Sequence, residues 1–100
     1  MAEHTLELIF DDNSDAEYLS DRGEDWLNFA TDTLNHIENY TVPQYGDKGD
    51  DQYTDFTAQD FITQIKKYLN RYGKNSRPGQ GHLDMLKCAH YIQMLSHLDD

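Results

Sequence analysis

Thr57-Ala58-Gln59-Asp60-Phe61-Ile62-Thr63-Gln64-Ile65-Lys66-Lys67-Tyr68-Leu69-Asn70-Arg71-Tyr72-Gly73 is the stretch whose reading decides the fold. Thr57 has the form of a helix N-cap with an acid at the third helical position. Phe61, Ile62, Ile65, Tyr68, Leu69 and Tyr72 recur at three- and four-residue steps, the period of a wide apolar helix stripe. Lys66, Lys67 and Arg71 occupy the second half, where the helix dipole favours cations. Gly73 is suited to ending the helix. The following Lys74 to Gly81 is a basic turn rich in Gly and Pro, and a second helix is expected from about His82 to Leu98. Leu83, Leu86, Ala89, Ile92, Met94 and Leu95 cover more than one face of it, which predicts a central position. Residues 57–98 therefore read as a helical hairpin.

Moving toward the N-terminus, Thr41 to Phe56 reads as a long acidic loop, punctuated by Pro43, Gly46 and Gly49 and interleaved with Tyr45 and Tyr53. Two uses compete for it: a solvated linker and a functional segment. Before it, Trp26, Leu27, Ala30, Leu34 and Ile37 predict a helix over about Glu24 to Asn39, with these side chains as a core stripe. Ser14 to Glu17 has capping-box form and predicts a short helix to about Asp21, interrupted at Gly23. Thr5 to Phe10 alternates and reads either as a short strand or as an extended arm. The expectation is one all-α domain over 1–100, a small helical bundle with at most a short N-terminal strand, divided into an acidic half (1–60) and the hairpin.

Composition narrows the function. The chain has 100 residues, a net charge of −11 and only 37% apolar residues, so twelve aromatics, seven of them Tyr, must supply much of the core. Residues 1–60 hold all of the 19 acids except Asp84, Asp99 and Asp100, against only Arg22 and Lys48. All the remaining bases lie after residue 60. Direct binding of the acidic half to nucleic acid or anionic lipid is disfavoured, because phosphate would be repelled. A basic protein surface suits it better. The single Cys88 rules out an internal disulfide and, beside Leu86, Ala89 and Ile92, reads as a buried thiol. The N-terminal stretch carries acid where a signal peptide would carry bases, and no apolar run reaches bilayer-spanning length, so a cytoplasmic protein is expected.

Three constellations could carry chemistry. His82, His90 and His97 share a helix but stand about two turns apart, too far for one metal at ~1.5 Å rise per residue, and no metal site or cofactor is expected. Lys67, Arg71, Lys74, Arg77 and Lys87 cluster at the hairpin corner beside Gly79-Gln80-Gly81, which reads as an anion site or as bases paired with the acidic half. The third is the acidic surface of Asp11, Asp12, Asp15, Glu17, Asp21, Glu24 and Asp25 with the loop acids Asp47, Asp50 and Asp51, where Tyr45 and Tyr53 would act as anchors. Carboxylates held on helices can imitate duplex phosphates and occupy the nucleic-acid channel of another protein.

Ile65-Lys66-Lys67-Tyr68-Leu69-Asn70-Arg71 and Leu83-Asp84-Met85-Leu86-Lys87-Cys88-Ala89-His90-Tyr91 together resemble a family of small phage domains known as DUF3310, over residues 61–95. Gln64-Ile65 stand where that family carries Gly-Asn. The resemblance implies a helical hairpin, a phage origin and a link to nucleotide metabolism. Lys67, Arg71 and Lys87 would then contact phosphate, with Asp84 orienting Lys87 or Arg71. Without it, Asp84 and Lys87 read as a surface pair. The leading expectation is a non-enzymatic, acidic, phage-type inhibitor that docks on a basic nucleic-acid-binding surface of a host defence complex. It would be anti-CRISPR-like in character and a possible DNA mimic. The alternatives are a nucleotide-binding domain that uses the basic corner and a self-associating protein, a homodimer.

Overall fold

The computed structural model describes residues 19–74 and 76–99. These are helical, with no strand among them: α1 (Asp21–His36), a π turn (Ile37–Thr41), α2 (Val42–Tyr45), a 3-10 turn (Gln52–Asp55), α3 (Ala58–Asn70) and α4 (Gln80–His97). The expected strand at Thr5–Phe10 and the capping box at Ser14–Glu17 lie outside the described residues. The chain forms two compact units, Met1–Ala30 and Thr31–Asp100. α1 contributes residues 21–30 to the first and 31–36 to the second.

In the first unit, Gly23 does not interrupt a helix, contrary to the sequence expectation. Ser20 caps α1: its Oγ accepts from the Gly23 N–H at 3.0 Å, and its carbonyl accepts from Glu24 N–H at 2.9 Å. Gly23 thus sits in the first turn with its amide satisfied, where a glycine costs the helix little. The expected core stripe is also corrected. No residue of α1 is buried, and Trp26 is 64% exposed. Trp26 instead leans on Phe29, with ring centroids 5.7 Å apart. Amphipathic spacing identifies a face but does not supply something to cover it.

The second unit is organised by the α3–α4 hairpin. α3 opens on the expected cap, now a full reciprocal box: Thr57 Oγ1 accepts from Asp60 N–H at 3.2 Å, and Asp60 Oδ2 accepts from Thr57 N–H at 2.8 Å. Of the expected α3 stripe only Phe61 and Tyr68 are buried; Leu69 and Tyr72 are exposed. The core of the hairpin is completed by Leu86 and Cys88 of α4, the Cys88 Sγ directing its proton at the Ile65 carbonyl at 3.7 Å. α4 begins two residues earlier than expected. Gly79 adopts φ 79° at its N-cap, a left-handed conformation that glycine takes without a Cβ penalty.

Residues 41–56 are not the open loop the sequence suggested. The helical path continues through the π turn into α2, with Pro43 in the first turn of α2. α2 stops at Gly46, φ 98°. The acids that follow close local turns: Asp47 Oδ1 accepts from Lys48 N–H at 2.7 Å, and Asp51 Oδ1 accepts from both Thr54 N–H and Thr54 Oγ1. Phe56 packs edge-on against Tyr53 and tilted against Phe61, which holds the segment to the hairpin.

Candidate functional site

Tyr68 stands at the centre of the hairpin's polar side. Its ring has Lys67 Nζ at 5.3 Å, Arg71 Cζ at 5.3 Å and Lys87 Nζ at 5.2 Å from its centroid. Each lies within cation–π range, and the three charges repel one another. Only Arg71 is compensated: its Nε lies 3.7 Å from Asp84 Oδ2. No carboxylate forms an ion pair with Lys67 or Lys87 among the described residues. Asp84 is not the surface partner of Lys87. It is 1% exposed, accepts from Gln80 Nε2 at 2.8 Å and braces Arg71. Placed one turn before Lys87 on α4, it faces α3, a direction that the three-residue spacing alone leaves open.

Beside this cluster lies a cavity of about 250 Å³. Lys67, Tyr68 and Gln64 come from α3, Lys87, His90 and Tyr91 from α4. The opposite wall comes from the end of α1, the π turn and the residues after it: His36, Tyr40, Thr41, Tyr45, Gln52, Tyr53 and Phe56. The π turn inserts an extra residue into the helix repeat here, an irregularity that recurs at functional sites. It sets His36 and Tyr40 in stacked contact, with centroids 5.2 Å apart.

The tyrosines are paired. Tyr40 and Tyr45 bring their hydroxyls to 3.5 Å, and Tyr53 and Tyr91 pack edge to face with centroids 5.8 Å apart. Burial, with the neighbouring Tyr53 phenol second, pushes the Tyr91 phenol far above its ordinary range. Burial also raises Tyr68, against the opposing pull of Arg71. Its hydrogen bond with Tyr40 raises Tyr45. All three are therefore neutral near pH 7. In the Tyr40–Tyr45 pair one O–H is used within the pair and the other can point outward as a donor. Burial, then Lys87, lowers the His36 imidazole; burial, then His36, lowers His90 against the opposing pull of Asp51. Both histidines are held neutral. The site thus offers two ammonium groups, neutral donors and aromatic faces, and no carboxylate among the described residues that line it.

Of the residues singled out in the sequence, Lys67, Arg71 and Lys87 gather at Tyr68. Lys74 and Arg77 stay exposed in the hairpin turn and do not line the cavity. Tyr45 and Tyr53 line it; Tyr45 stays exposed, and Tyr53 is half-buried against Phe56, His90 and Tyr91. Asp21, Glu24 and Asp25 are exposed on α1, Asp47 and Asp50 are exposed, and Asp51 is half-buried in its capping role. Asp11, Asp12, Asp15 and Glu17 lie outside the described residues. His36, Gln64, His90 and Tyr91 were not visible as site residues, because only packing brings them together.

Among the described residues no group of three or more His, Cys, Asp or Glu side chains is placed to hold a metal, and no helix is long and apolar enough to cross a membrane. No family model matches the chain, and no curated protein and no solved structure matches it.

Proposed function

We propose that this chain is a small helical binding protein whose cavity takes a phosphate-bearing small ligand of the nucleotide class. The observation that carries this reading is the lining itself. In a chain of net charge −11, the described residues of its walls include Lys67 and Lys87 and not one carboxylate. Two uncompensated ammonium groups beside neutral O–H and imidazole donors would solvate an anion, and the phenol rings would cover an aromatic group. The test is calorimetric and thermal-shift titration with inorganic phosphate and a nucleotide panel, on the wild type and on Lys67→Met and Lys87→Met. These substitutions keep most of the aliphatic stem and remove the charge. Binding that weakens at least tenfold in each variant is expected. The absence of both heat and a melting shift with every phosphate-bearing probe overturns the reading.

A second reading is supported by Trp26, exposed on α1, a helix that also carries the exposed acids Asp21, Glu24 and Asp25. Under it, the acidic half steers the protein onto a basic, nucleic-acid-binding surface of a host defence complex, with Trp26 as an anchor. This is the acidic, phage-type inhibitor acting in the cytoplasm. A pull-down from nuclease-treated host lysate should recover one such complex at low salt and lose it at high salt. Joint neutralisation of Asp11, Asp12, Asp15 and Asp25 should abolish capture, and full retention by that variant sinks the docking role.

A further inference from the structure

We propose that the ligand of the cavity is a nucleoside 5′-monophosphate, with its terminal phosphate between Lys67 and Lys87 and its base on the tyrosine rings, edge toward Gln64 and Gln52. This rests on the phosphorylated-ligand reading above and narrows it.

Charge is the first argument. A phosphomonoester carries about −1.5 to −2 at neutral pH, which two lysines without carboxylate partners match. A phosphodiester carries one negative charge and would leave one lysine uncompensated. The neighbouring histidines add N–H donors but no charge, since burial holds both imidazoles neutral. Size is the second. About 250 Å³ lies just below the ~300 Å³ at which ordinary small-molecule pockets begin, so one phosphate fits better than a run of three. The third argument is the pair of amides. Gln52 and Gln64 line the cavity, and neither side chain has a hydrogen-bond partner among the described residues. An amide offers a donor and an acceptor side by side, the complement of a base edge. Aromatic rings next to it supply the stacking surface that bases use on proteins.

The experiment is calorimetry of the full chain with the four ribonucleoside 5′-monophosphates, the 3′,5′-cyclic monophosphates of adenosine and guanosine, ATP, ribose 5-phosphate and inorganic phosphate. At least one 5′-monophosphate should bind ten times more tightly than its cyclic counterpart and than inorganic phosphate. Gln64→Leu should weaken that nucleotide about tenfold and leave inorganic phosphate unchanged, with circular dichroism confirming an intact fold. Equal affinity for cyclic and open forms overturns the monoester assignment. Equal loss of nucleotide and phosphate binding in Gln64→Leu, or no loss of either, overturns the placement of the base. Binding of ATP or ribose 5-phosphate that depends on Lys67, with no binding of any monophosphate, would leave the broader reading standing and remove this one. Silence from every probe removes both.

Discussion

Asp84 is the most deeply buried polar side chain among the described residues, and its two partners explain why it can be. Gln80 satisfies one oxygen and Arg71 faces the other. Arg71 remains two-fifths exposed, so water screens that ion pair and its net worth is small. The hydrogen bond to Gln80 is the costlier one to lose, because the Gln80 amide is buried with it. Asp84→Ala should therefore lower stability by about 1–3 kcal/mol, the usual cost of stranding a buried donor. Asp84→Asn, which keeps an acceptor for Gln80, should restore most of that. Urea denaturation of the two variants distinguishes them, and equal losses would mean that the charge, not the hydrogen bond, matters. Asp84 is also a case where the sequence was ambiguous. Its spacing to Lys87 fits a surface pair equally well, and only the rotation of α4 against α3 turns it inward.

At the scale of elements, glycines separate two kinds of position. Gly46 ends α2 at φ 98°, and a Cβ there would lie 3.3 Å from the Asp50 carbonyl oxygen. Gly46→Ala should cost about 1–2 kcal/mol from the left-handed backbone alone. Gly81 lies in the first turn of α4 with nothing near an added Cβ. Gly81→Ala should raise stability by about 0.5–1 kcal/mol through helix propensity and a less disordered unfolded chain. Thermal melts of the pair give opposite shifts; shifts of the same sign would contradict an α2 that stops at Gly46 and an α4 that includes Gly81. The capped start of α3 was legible beforehand because both halves of its box are local in sequence. The π turn and the helical Pro43 were not legible. An inserted residue shifts every later side chain to a new face without leaving a compositional mark, and a proline reads as a breaker unless its place in the first turn is known.

The whole molecule sets the response to pH and salt. His36 and His90 have folded pKa values below the ordinary 6.5. As pH falls below that value the unfolded chain takes up protons first, so stability drops on the acid side. Tyr68 and Tyr91 have folded values above the ordinary 10.0. As pH rises past that value the unfolded chain releases protons first, so stability drops on the alkaline side too. A plateau between about pH 6.5 and 10 is expected, and Tyr91→Phe should flatten its alkaline edge. An alkaline edge unchanged in that variant would mean that Tyr91 titrates normally. Added salt should raise the melting temperature, since a net charge of −11 destabilises the compact state by self-repulsion. A fall with salt would show that attractive ion pairs outweigh it.

Short-range chemistry lies in the sequence itself: the helical class, the Thr57 cap, the basic second half of α3 and the burial of Cys88 all follow from spacings of three or four residues. The acidic and basic halves are equally plain there, because charge needs no packing to be counted. What required the tertiary structure was every choice between faces. Trp26 and Leu34 repeat like core residues yet are exposed, since amphipathicity cannot say what will cover a face. Lys67 and Lys87, twenty residues apart, share one phenol ring because α3 and α4 pack in one register. The cavity's lining, free of acids among the described residues, is a property of that packing, assembled from stretches of chain that no local pattern links.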